Sequence, residues 1–130
     1  MPDENKAEQF KRLLLDEAGA IQDIGVAYGL ARMFFPMENA PEINQIVLRT
    51  LLELLDDGLI FFFRSSHDEG YNADPDSIDR LARADVAAEL ERGYWVKDPP
   101  NGVLFFLETP KGAKVFRTLP PGALPESPGS

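Results

Sequence analysis

Apolar positions set out most of the elements before any other property is consulted. Along residues 3–18, Phe10, Leu13, Leu14 and Ala18 recur at helical spacing and Ile21 continues the stripe, with Lys11, Arg12, Asp16 and Glu17 elsewhere on the wheel. A second helix is expected over 23–35, capped by Asp23, with Ile24, Tyr28, Ala31 and Phe34 on one side. Gly25 and Gly29 weaken it, and their spacing would also suit a close helix approach. Pro36 ends it, since its ring and missing N–H break the hydrogen-bond ladder. The strongest helix spans 42–57, preceded by Pro41 at a first-turn position. Its buried stripe is Ile43, Ile46, Val47, Thr50, Leu51, Leu54 and Leu55, widened by Leu48 and Leu52, which places it centrally in the core. Gly58 supplies the left-handed conformation that terminates it.

Residues 59–63 (Leu-Ile-Phe-Phe-Phe) read as a strand and 64–75 as a polar loop. A helix is expected from Asp76 or Ser77 to about residue 92, supported by Asp76–Arg80 and Asp79–Arg83 pairs and closed by Gly93, with Ile78, Leu81, Ala84, Ala88 and Leu90 on its apolar side. After a turn at 98–102, residues 103–107 form a second aromatic strand. Thr109 then caps a short helix through residue 116, with Pro110 at its first position. These elements make one domain over 1–118, and the Pro/Gly/Ser-rich stretch 119–130 is expected to be disordered.

The order helix, helix, helix, strand, strand, short helix resembles the winged-helix superfamily. Leu51-Leu52-Glu53-Leu54-Leu55-Asp56-Asp57-Gly58-Leu59-Ile60 resembles the junction between recognition helix and wing in bacterial winged-helix regulators. Phe106-Leu107-Glu108-Thr109-Pro110-Lys111-Gly112 looks like the second wing strand entering the closing helix, with Glu108 interposed. The resemblance implies an α+β fold, mainly α, with a three-helix core and a two-stranded antiparallel hairpin. It departs from the family in residues 64–102, where a short wing loop is replaced by a segment long enough to hold an inserted helix. It would place DNA contacts on the third helix, where Asn44, Gln45 and Arg49 are the candidates. That helix, however, carries Glu42, Glu53, Asp56 and Asp57 against the one base Arg49, whereas groove entry calls for several side chains reaching phosphates and base edges.

Overall charge sharpens this conflict. The 130 residues hold 22 Asp and Glu against 13 Lys and Arg, a formal net charge of −9, which disfavours the phosphate contacts on which nucleic-acid affinity rests. The absence of Cys excludes disulfides, thiolate metal sites and a thiol nucleophile. The N-terminus has no basic region leading into an apolar run, and Leu59 to Phe63 is too short to span a membrane, so a cytoplasmic location without membrane attachment is the expectation.

Candidate chemistry is sparse. His67, the single histidine, sits in Ser65-Ser66-His67-Asp68-Glu69. A general base with an adjacent acid and a serine is conceivable there, but neighbours in sequence rarely converge in that geometry, and a solvated loop is the plainer reading. Asp68, Glu69, Asp74, Asp76 and Asp79 are oxygen ligands without the spacing of a calcium-binding loop. Asn101-Gly102 with Lys111 and Lys114 needs no role beyond turn and surface. No phosphate-binding glycine motif or Gly-x-Ser-x-Gly occurs. No enzyme, cofactor or metal is therefore expected.

The aromatic strands say more. Phe61-Phe62-Phe63 and Phe105-Phe106 put rings on both faces of a hairpin whose outer face should alternate with polar residues if it met water. Either the inserted helix or another protein chain must cover that face. The expectation is that Phe61, Phe63, Tyr94, Trp95 and Phe105 make a homodimer or partner contact. The functional reading is a non-enzymatic interaction module whose acidic surface engages a basic protein, for instance an immunity-type neutraliser of a basic toxin. The alternative is a dimeric winged-helix DNA-binding regulator.

Overall fold

The computed structural model describes residues 4–65, 67–74, 76–92 and 103–118, without the side chains of 4, 5, 67, 68, 92 and 116–118. The chain is α+β. In order, it forms α1 (Glu4–Glu17), β1 (Gln22–Asp23), α2 (Ile24–Phe34), α3 (Ala40–Asp56), β2 (Ile60–Ser65), α4 (His67–Gly70), α5 (Arg83–Arg92), β3 (Val103–Glu108) and α6 (Pro110–Thr118). The sequence 119–130 lies outside the described residues.

Local chemistry explains the ends of the first helices. Asp23 accepts from the Gly25 N–H at 2.7 Å and caps α2. Asn39 accepts from the Glu42 N–H at 3.0 Å, so α3 starts at Ala40, two residues earlier than its apolar stripe indicates. At the other end of α3, Leu59 N–H reaches Leu54 O and Gly58 N–H reaches Leu55 O, with Gly58 at φ +74°. This pair of reverse bonds satisfies the last carbonyls and turns the chain straight into β2. Gly29 has nothing within 4 Å of where a Cβ would stand, so no helix approaches it closely.

The core gathers where α1, α2 and α3 meet the inner face of the sheet. Phe10, Leu14, Ala27, Tyr28, Ala31, Val47, Leu51, Leu54, Ile60, Phe62 and Phe106 belong to it, and all are almost wholly buried. Leu15 and Phe35, outside the expected stripes, are buried as well. Phe10 packs against Phe34 and Phe35, with ring centroids 5.9 and 5.7 Å apart.

The expected two-stranded hairpin is a three-stranded antiparallel sheet in the order β1-β3-β2. Phe62 faces Phe106 and Phe63 faces Phe105 across the β2–β3 ladder, while Gln22 and Asp23 pair with Phe106 and Phe105 on the other edge. A two-residue polar strand has no periodicity to read, and it exists because β3 offers it a free edge.

The inserted helix also differs from expectation. It begins at Arg83, not at 76, because Asp74 forms a side-chain turn there: its carboxylate accepts from the Asp76 N–H and the Ser77 hydroxyl, each at 3.0 Å. The Asp76–Arg80 and Asp79–Arg83 spacings are therefore not helical pairs. With the later start, the buried positions become Val86 and Leu90, one turn apart, while Ala84 and Ala88 are exposed.

Candidate interaction surface

The two motifs that carried the winged-helix resemblance meet in space at the end of α3. The Thr109 hydroxyl donates to Gly58 O at 2.6 Å and accepts from the Gly112 N–H at 3.1 Å, capping α6. Thr109 N–H donates to Leu59 O at 2.9 Å. Lys111 Nζ donates to Asp57 O at 2.7 Å, placing a cation on the carbonyl end of α3, where the helix dipole favours it. Gly112 lies so close that a Cβ would stand 2.0 Å from Leu59 O. This junction is a structural clasp that fixes α3 relative to the sheet.

On α3 itself, Glu42, Gln45, Arg49, Glu53 and Asp56 are exposed at helical spacing and form the outward stripe. Gln45 and Arg49 share that face one turn apart, whereas Asn44 is half-buried beside it. The acids toward the C-terminal end of the stripe are held by cations from other helices. Lys11 of α1 lies 3.2 Å from Glu53 and 3.7 Å from Asp57. Arg83 of α5 grips Asp56 through two nitrogens at 2.7 and 3.2 Å, a contact that raises its pKa above the ordinary guanidinium value. Helix α5 packs alongside α3, and Arg64 of β2 reaches Glu89 of α5 at 2.5 Å.

Other bases are spent within the chain too. Arg80 stacks over the Phe61 ring at 4.2 Å and Lys6 lies over Phe35 at 5.9 Å. The acids Glu8, Asp16, Glu42, Asp74, Asp76, Asp79, Asp85 and Glu91 remain exposed to solvent. Exposed cations among the described side chains include Arg32, Arg49 and Lys114. None of this pairing was readable from the sequence, because each partner is tens of residues away.

The aromatic face of the hairpin is closed within the chain, the first of the two covers expected for it, and not held open for a partner. Phe61, Phe63 and Phe105 are 5%, 2% and 0% exposed and form a second apolar cluster with Ile21, Ala73, Ile78, Val103 and Leu107. In this conformation they offer no surface to a partner. Their cover comes from within the chain, from the segment running through Gly70 and Arg80, which includes Ile78 of the apolar side expected for the 76–92 helix, while Val86 and Leu90 of α5 join the main core. Tyr94 and Trp95, the other two residues expected at a contact, lie outside the described residues, as do Asn101 and Gly102.

No family model, curated protein or solved structure matches the chain.

The remaining chemical candidates do not assemble. Among the described residues, no three His, Asp or Glu side chains gather into a metal-binding set, and Asp74 is engaged in its own turn. The side chains of Ser66, His67 and Asp68 lie outside the described residues. No helix among the described residues is long and apolar enough to cross a membrane.

Proposed function

We propose that the chain is a non-enzymatic protein-interaction module on a winged-helix-like scaffold, whose acidic surface engages a basic protein partner. The scaffold reading rests on the element order α1-α2-α3-β2-β3-α6 and on the clasp that joins its two motif segments at Gly58 and Thr109. One observation carries the functional reading. Lys11, Arg64, Arg80, Arg83 and Lys111 each engage a partner inside the chain, Arg80, Arg83 and Lys111 while still exposed, and at least eight acids face solvent. Such a surface repels phosphate and steers a cationic partner toward it, raising the encounter rate. A neutraliser of a basic toxin is one instance that fits this charge.

A second reading, a DNA-binding regulator, draws on Gln45 and Arg49, which stand exposed one turn apart on α3. Fluorescence anisotropy with a random duplex library at low salt separates the two. The interaction module leaves the duplex free at micromolar protein. Saturable binding that Arg49→Ala abolishes would replace it with the regulator.

A further inference from the structure

We infer that the segment comprising residues 69–74 and 76–81 is a strap that opens independently of the core and uncovers the Phe61–Phe63–Phe105 face of the sheet. The two faces of the sheet belong to separate apolar clusters, and only the inner one is continuous with α1, α2 and α3. The strap closes the outer one with little apolar material of its own: Ala73 and Ile78 are partly buried there, Leu81 at its end packs on the main cluster, and Glu69, Asn72, Asp74, Asp76, Ser77 and Asp79 are exposed. Segments with few buried apolar contacts and exposed hydrogen bonds lie at the low-stability end of a fold.

Its fastenings are specific. The Gly70 backbone lies flat on Phe105, where a Cβ would fall 2.2 Å from the ring. Tyr71 meets the same ring edge-on at 5.2 Å and donates its hydroxyl to Asp23 Oδ2. Asp23 thus uses one carboxylate oxygen to cap α2 and the other to hold the strap. Arg80 stacks on Phe61, and Leu81 N–H donates to Phe62 O at 2.9 Å on the open side of β2. Phe105 is fully buried and stacked on Phe63 at 5.4 Å, so a methyl group at position 70 is expected to displace the strap before the ring. Opening turns a covered sheet face into an exposed apolar surface, which a hydrophobic dye reports. The inference does not depend on the acidic-surface reading.

The test is native-state hydrogen exchange on wild type, Gly70→Ala and Tyr71→Phe, with binding of a hydrophobic dye read alongside. In wild type at low denaturant, the Leu81 amide exchanges through a smaller opening than the amides of Val47 and Leu51 in α3. Gly70→Ala leaves those α3 amides protected, strips protection from Leu81 and gains dye binding. Tyr71→Phe, a milder change, speeds exchange at Leu81 roughly fivefold, the loss of one hydrogen bond, and leaves α3 untouched. Loss of protection at Leu81, Val47 and Leu51 together in either variant would overturn the inference, because the strap would then open only when the whole domain unfolds. Wild-type protection and dye binding in Gly70→Ala would overturn it equally.

Discussion

Gly112 and Gly29 are the same residue type in opposite surroundings, and they respond to a methyl group in opposite directions. At Gly112 the methyl meets the Leu59 carbonyl, a backbone atom that cannot move without disturbing β2. Gly112→Ala is expected to lower stability by about 1–3 kcal/mol, the usual cost of overpacking, in a urea titration. At Gly29, exposed within α2 and facing open space, Ala is expected to raise stability by about 0.5–1 kcal/mol in the same titration, through helix propensity and reduced freedom of the unfolded chain. Tyr28 makes a pH-dependent case. It is 1% exposed, and burial pushes its hydroxyl from 10 up to about 12. Between those values the folded chain keeps a proton that the unfolded chain has released. The associated stability is therefore complete below pH 10 and is lost as pH rises toward 12. The loss approaches about 1.4 kcal/mol per pH unit, and Tyr28→Phe should flatten this part of the alkaline stability profile relative to wild type.

At the scale of elements, α3 organises the fold because it is capped at both ends by local chemistry and packed on its sides by α1, α2 and α5. Asn39→Ala removes the side chain that accepts from Glu42 N–H and is expected to cost about 1 kcal/mol in thermal or urea unfolding. Signals of this local kind were legible in the sequence: Asp23 as a cap, Gly58 as the left-handed stop, Thr109 as the start of α6, and the apolar stripes of α1 to α3. The start of α5 was not, because Arg80 and Arg83 stand at helical ion-pair spacing from Asp76 and Asp79 although the contacts of the two arginines are tertiary. Arg80 belongs to Phe61 and Arg83 to Asp56. Strand β1 was illegible for a related reason, since two polar residues become a strand only when β3 is beside them. The need for a cover over the outer sheet face could be read from the unbroken aromatic run, and Ile78 as part of it, but not the share supplied by Gly70 and Ala73. That cover depends on Gly70 fitting flat against a ring far away in sequence.

For the whole molecule, net charge was legible from composition and its arrangement was not. The sequence reads α3 as an acidic helix with one base. In the fold, Glu53, Asp56 and Asp57 hold Lys11 and Arg83, and the remaining exposed acidity is spread over Glu8, Asp16, Glu42, Asp74, Asp76, Asp79 and α5. The exposed pairs add little to stability, because both partners stay in water, where their attraction is screened. Affinity capture from lysate of the native host at moderate salt separates an acidic protein-interaction module from a DNA-binding regulator. Wild type is compared with the charge-reversed variant Glu42→Lys, Asp85→Lys and Glu91→Lys, and bound protein and nucleic acid are both identified. The account predicts that wild type enriches one basic protein, that nuclease treatment leaves it bound, and that the variant loses it. Recovery of a defined DNA fragment instead, retained by the variant and lost in Arg49→Ala, would contradict it.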